Sequence, residues 1–345
     1  MFSLFPFGIA TFFPAVLLIA GSMWGGVWVI GAILAITVVV FALDKITREA
    51  TVSDRHGHGL SVALGVVHFG LLGIAAIAMN GQLPVLDKVL LVIGFGLYFG
   101  QISNSNAHEL IHRSDRWAFR LGAAIYASLL FGHHTSAHRL VHHVHAATPQ
   151  DPATARCGEG FWAYLPGTWI GSFRAGLRAE RQRHGGQRLP APYVAYMLGA
   201  VLTLIAADLL GGAAGVIGLA VIASHAQIQL MLSDYVQHYG LERRMNAQGQ
   251  RERMGDRHSW NAPHWYSSAM MLNAPRHSAH HTHPARAFPQ LDLDSATMPM
   301  LPRALPMMAM IALVPPLWRR IMDHRVAQWR ERDARNSGDM VPVAG

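Results

Sequence analysis

Six runs of about 17–21 mostly apolar residues, at 4–20, 24–43, 59–79, 86–104, 190–209 and 212–232, constrain this chain more than any other feature. A helix rises 1.5 Å per residue, so each run can cross a hydrocarbon layer about 30 Å thick. Lipid offers no partner to a bare backbone N–H or C=O, which leaves helices as the form such runs take. The expected fold class is all-α integral membrane, with about six transmembrane helices. Composition agrees, since 51% of residues are hydrophobic and 14% charged, where a soluble domain carries about 25% charged residues.

The runs pair as helical hairpins, divided at Gly21-Ser22, at 80–84 and at Leu210-Gly211-Gly212. The first stretch lacks a basic leader and an Ala-x-Ala cleavage site, so it is expected to stay as the first span. Six crossings return the chain to its starting side and put 44–58, 105–188 and 233–290 on one face. That face carries Lys45, Arg48 and Arg55, then Arg174, Arg178, Arg181, Arg183 and Arg188. Basic loops face the cytoplasm, which points to the cytoplasmic side of a bacterial-type inner membrane. The run 117–132 is short, contains Arg120 and has histidines at both ends, so it is expected to be buried or re-entrant. The run 304–318 is broken by Pro306, Pro315 and Pro316 and is expected to lie at the interface. One domain is expected over 1–330, followed by a polar, poorly ordered tail at 331–345.

A formal charge of +8 and a pI near 10.1 would suit nucleic acid. The basic residues lie between and after the apolar runs, however, where topology accounts for them, and no nucleic-acid partner is expected. The single Cys157 excludes an intramolecular disulfide, a thiolate zinc site and a self-contained iron–sulfur cluster.

The 21 histidines are the second anomaly. His108 and His112 form an HxxxH, His138, His142 and His143 an HxxxHH, and His277, His280 and His281 a third cluster; His238 stands where the sixth run ends. On a helix, positions i, i+3 and i+4 share a face, so each cluster can aim its imidazoles at one centre. Nine imidazoles exceed what one ion can take. Imidazole suits iron, copper, nickel and zinc, and two iron ions are favoured because dinuclear iron can activate O₂. HELIH (108–112) also fits the zinc-protease HExxH with Glu109 as base, but that reading leaves six of the nine histidines without a role. His56, His58, His68, His184 and His324 read as solvated or packing residues. His133, His134, His145, His225, His258, His264 and His283 are at best neighbours that orient a ligand. GFGLYFG (94–100) is mid-span and reads as close helix packing rather than a nucleotide loop.

NAHELIHR (106–113), AHRLVHHVHAATPQDPA (137–153), DYVQHYGLE (234–242) and HSWNAPHWYSSAMMLNAPRHSAHHTHP (258–284) together resemble the membrane-bound alkane hydroxylases. These belong to the histidine-rich di-iron superfamily of fatty-acid desaturases and alkyl-aromatic hydroxylases. The likeness covers about residues 44–290. It implies a cage in which His108, His112, His138, His142, His143, His238, His277, His280 and His281 hold two non-haem iron ions, with O₂ as co-substrate. It also implies a hydrophobic substrate drawn from the lipid bilayer and hydroxylated at a terminal methyl group. Electrons would come from a rubredoxin or ferredoxin with its reductase, and the arginines of 174–188 would offer an acidic carrier a landing site. Three acidic positions of the family pattern are changed here, to Ala137, Gln237 and Ala279. Glu109, Asp151, Asp234 and Asp256 are then the carboxylates left to orient ligands and offset metal charge, with Gln237, His258 and His264 as further neighbours. A desaturase, an alkyl-aromatic or terpene methyl hydroxylase, a haem protein and a histidine-rich metal transporter remain as other readings. A transporter would place its ligands near mid-bilayer rather than at helix ends.

Overall fold

The computed structural model describes residues 4–45, 57–245 and 249–336. Lys45 is the last described residue before the segment 46–56, and Arg48, Arg55 and His56, like the tail from 337, lie outside the described residues.

Among the described residues the regular structure is helix, with two isolated bridges, Met245 with Arg251 and Asn261 with Met300. α1 (Phe5–Trp24) fills the first apolar run. The second run is shorter than expected and divided, into α2 (Val27–Ile36) and α3 (Val38–Leu43). The break is at Thr37, whose backbone leaves the helical region (φ −116, ψ −80) and whose hydroxyl donates back to the Ile33 carbonyl at 2.7 Å. Such back-bonding competes with the helix ladder, and the β-branched run 37–40 adds crowding. α4 (Gly57–Asn80) takes the third run. α5 (Val85–Tyr98) continues through a wide π-helical turn, Phe99–Ser103, into α6 (Asn104–Ile111), making one rod of 27 residues.

The fifth and sixth runs lie in α11 (Ala191–His238), which is broken at Gly212 (φ 57, ψ −158). A Cβ at Gly215 would stand 2.6 Å from the Ala207 carbonyl, a separation that requires the two arms to fold back on each other. A Cβ at Gly211 would meet the Ala76 carbonyl at 2.1 Å, so the turn closes directly on α4. Phe5–Trp24, Gly57–Asn80, Val85–Ile111 and Ala191–His238 are each long and apolar enough to cross a membrane; Val27–Leu43 is apolar but shorter.

The remaining helices form a cap over one end of this bundle. α7 (Arg116–Ser128) is the run expected to be buried or re-entrant. It starts at Asp115, whose carboxylate accepts the Trp117 and Ala118 N–H groups, and it packs Ala118, Ile125 and Tyr126 against α6. α10 (Phe161–Arg183) is a helix within the stretch 105–188, where no span is expected from the sequence. Its first half exposes Trp162, Trp169, Ile170 and Phe173, and its second half carries the arginines. α14 (Leu305–Ala312) and α15 (Pro315–Asn336) follow, so helix extends six residues past the boundary expected at 330. Trp318, Met322 and Val326 bury one stripe of α15 in the main core.

Candidate metal centre

The nine histidines named from the sequence come together from five helical elements, in two groups. His108, His112, His138, His143 and His280 form one, and His142, His238, His277 and His281 the other. Within each group the ligand atoms all lie within 4.8 Å of one another.

Local geometry explains the division. α6 presents His108, with His112 as its C-cap four residues on, so both face one centre. α8 (His134–Ala137) leads into a π-helical turn, His138–His142, and then α9 (His143–His145). A π turn bonds i to i+5, so His143, not His142, stands below His138; their Nε2 atoms are 3.0 Å apart. The expectation that each cluster aims at one centre therefore fails for this one, because the wide turn parts His142 from His138 and His143, and it fails for the third cluster too, where His280 is parted from His277 and His281. In α13 (His277–Thr282) ordinary helical spacing holds, and His277 pairs with His281 at 3.1 Å. Neighbouring helical residues point about 100° apart, so His142/His143 and His280/His281 each send one ring to each group. His238 closes the second group from the end of α11.

The donor atoms suit metal ions better than hydrogen bonds. Nε2 of His238, His277 and His281 form a triangle with sides of 2.9, 3.1 and 3.2 Å. Neutral imidazoles have one N–H each, and the buried Nδ1 atoms of His277 and His281 have no partner either. Nε2 of His108, His112 and His142 are buried without any hydrogen bond. A metal about 2.0–2.1 Å from each nitrogen would set adjacent ligands about 3 Å apart, which matches the observed spacing.

Burial, then repulsion among neighbouring rings, holds His138, His143, His277, His280 and His281 well below the usual imidazole range. They therefore stay neutral and able to coordinate. His142 is the exception. Burial alone would lower it, but the Asp151 carboxylate, 2.8 Å from its Nδ1, carries it upward. Asp151 is itself held at about 2, because contact with His142 and the Thr154 hydroxyl outweighs its burial.

The other expected partners are dispersed. Glu109 accepts from Arg113 at 2.7 Å and from the Phe288 N–H, so it ties α6 to a loop. Gln237 donates to the Ala274 carbonyl and accepts from Ser233. Ser278 on α13 hydrogen-bonds the backbone carbonyl of Asp256. His258 is engaged by Glu252 at 2.8 Å and by the Gly255 N–H. His264 sits near Asp44 and Arg303. Ala137 and Ala279, at positions where the family pattern is acidic, are both buried.

A tunnel from the bilayer to the cage is what a hydrocarbon substrate requires, and a cavity ends here whose lining the sequence does not specify. It has a volume of about 560 Å³, and His108, His138 and His277 are part of its wall. At its other end Val38, Phe41, Trp162 and Met310 are 52–63% exposed on the apolar flank of the bundle. Polar residues set in apolar runs, such as Thr37, Gln101 and Asn104, line it and were the available signal.

The family profile described as "Fatty acid desaturase" matches residues 88–312. Alkane 1-monooxygenase 1 of Alcanivorax borkumensis is 32% identical over 81% of this chain and 70% of that protein. Alkane 1-monooxygenase of Pseudomonas putida is 30% identical, over 83% and 72%. The xylene/toluene monooxygenase hydroxylase component of Pseudomonas putida is 27% identical, over 91% and 87%. With this extent of likeness over the same residues that build the histidine cage, the chain belongs to the fatty acid desaturase family, among its alkane 1-monooxygenase members.

Proposed function

We propose that this protein is a membrane di-iron monooxygenase that uses O₂ to hydroxylate an unactivated C–H bond, such as the terminal methyl of an n-alkane. The observation that carries the reading is the meeting of two histidine groups at the end of a cavity whose opposite end lies on the apolar flank of the helices. When bound, two iron ions would supply the oxidising power that O₂ and two electrons generate at a dinuclear centre.

The chain's own residues do the rest. The nine histidines fix the positions of the ions, and Asp151 fixes the tautomer of His142 by taking its Nδ1–H. The apolar outer wall admits a hydrocarbon from lipid and keeps bulk water away from the reacting end. The fold-back at Gly212 makes α11 two crossings. With Val27–Leu43 counted as a short crossing the total is six, and the arginines beside the cage on α10 support a cytoplasmic side for it. Arg174, Arg178 and Arg183 are exposed there, suited to an acidic rubredoxin or ferredoxin that brings the electrons.

The test is oxidation of a panel of alkanes, alkylbenzenes and fatty acyl lipids by membranes supplied with O₂ and a reduced carrier. Alcohol products that vanish in His138→Ala are expected, with two non-haem irons per chain. Alkene as the sole product would replace this reading with a desaturase.

A further inference from the structure

The cavity holds a group that neither histidine set uses. Asp234 lies on α11 one helical turn before His238, so the two share a face. It is 9% exposed and lines both the main cavity and a small void beside His142 and Asp151. It accepts no hydrogen bond from any described residue. It also stands outside both groups of converging metal-ligand atoms. His142 lies close enough to attract it electrostatically but makes no hydrogen bond to it, because the Nδ1 of that ring is taken by Asp151. A buried carboxylate without a partner is costly, and a channel built for plain hydrocarbon gains nothing from one.

The rest of the inner wall narrows what the partner can be. Asn104 and Gln229 donate to the Ala226 and Gly96 carbonyls, and Gln237 to the Ala274 carbonyl. Ser105, Ser233 and Tyr126 donate to the Gln101 carbonyl, the Gln237 amide and the Asn104 carbonyl. Those donors are spent, whereas the side chains of Gln101, His134 and His225 on the same wall make no hydrogen bond to a described residue; the carboxylate on it with neither oxygen bonded is Asp234. Next to Asp234 the wall therefore favours a ligand that brings a donor.

We propose that the preferred substrate is an amphiphile rather than an unsubstituted alkane: an apolar body along the outer cavity and a hydroxyl or amino group held by Asp234. The inference rests on the hydroxylase reading for what happens to that substrate, but its binding preference can be measured without turnover. The iron-loaded protein in nanodiscs, without O₂ or reductant, is titrated with dodecane, dodecanol, dodecylamine and methyl dodecanoate. Trp162 lines the cavity and reports occupancy by its fluorescence. Dodecanol and dodecylamine should bind at least tenfold tighter than dodecane or the ester, and Asp234→Leu should bring all four within about threefold. Asp234→Asn, which keeps size and polarity, should lose the amine preference while retaining part of the alcohol preference.

Equal affinities in the unaltered protein would overturn the proposal, as would a preference that survives Asp234→Leu and Asp234→Asn. So would loss of iron in either variant with the binding order unchanged, since Asp234 would then serve the metals. Failure of every probe to be oxidised in a separate turnover assay would count against the hydroxylase reading and leave the binding result to stand.

Discussion

Replacing Asp151 with Asn tests the cage at its best-defined contact. Asp151 is 4% exposed, and one carboxylate oxygen lies 2.8 Å from His142 Nδ1 and 2.7 Å from the Thr154 hydroxyl. Among the described residues, His142 is the one cage histidine with a carboxylate on its outward nitrogen. Loss of such a partner costs about 10–100-fold in metal affinity, or about 1.4–2.7 kcal/mol. His142 belongs to the four-membered group, so the effect should fall on one ion. Chelator competition followed by iron analysis should show one iron per chain leaving at about 10–100-fold lower chelator concentration, the other unmoved. The same pair has a pH signature in metal-free protein. Asp151 is lowered from 3.8 to about 2, so its share of stability, about 2 kcal/mol, is complete above its unfolded pKa. It is lost as pH falls through the folded value, and Asp151→Asn should abolish that low-pH transition. An unchanged competition curve for both irons would refute the assigned role of the Asp151–His142 contact.

Three further outcomes follow from the geometry. Deleting Leu140 should convert the π turn at 138–142 to ordinary helix, rotate His142 and His143 by about 100°, and leave fewer than one iron per chain by elemental analysis. Gly211→Val should lower the melting temperature in nanodiscs sharply, because a Cβ there meets the Ala76 carbonyl at 2.1 Å and overpacking costs about 1–3 kcal/mol; a melting point within a degree of the parent would contradict the tight turn. Met310→Trp, at the exposed end of the cavity, should raise KM for long substrates several-fold with little change in iron content, and equal KM values across chain lengths would place the entrance elsewhere.

The sequence by itself determined the elements that answer to one-dimensional physics. Runs long enough to cross a bilayer must become helices, and the glycines at 211–212 mark a reversal because that turn needs a residue at home with positive φ. The nine histidines that converge in the structure were also nameable from the sequence, by their helical spacing in an otherwise apolar chain. Tertiary structure decided their partition. Whether His138 pairs with His142 or His143 depends on a π turn that no residue spacing encodes, because it arises where the backbone accommodates packing on both sides. The contrast between Asp151 and Asp234 is the plainest case. Both read as spare carboxylates in the chain, yet one is fixed on a cage histidine and the other faces the cavity. Direction in space, which only packing sets, separates the two.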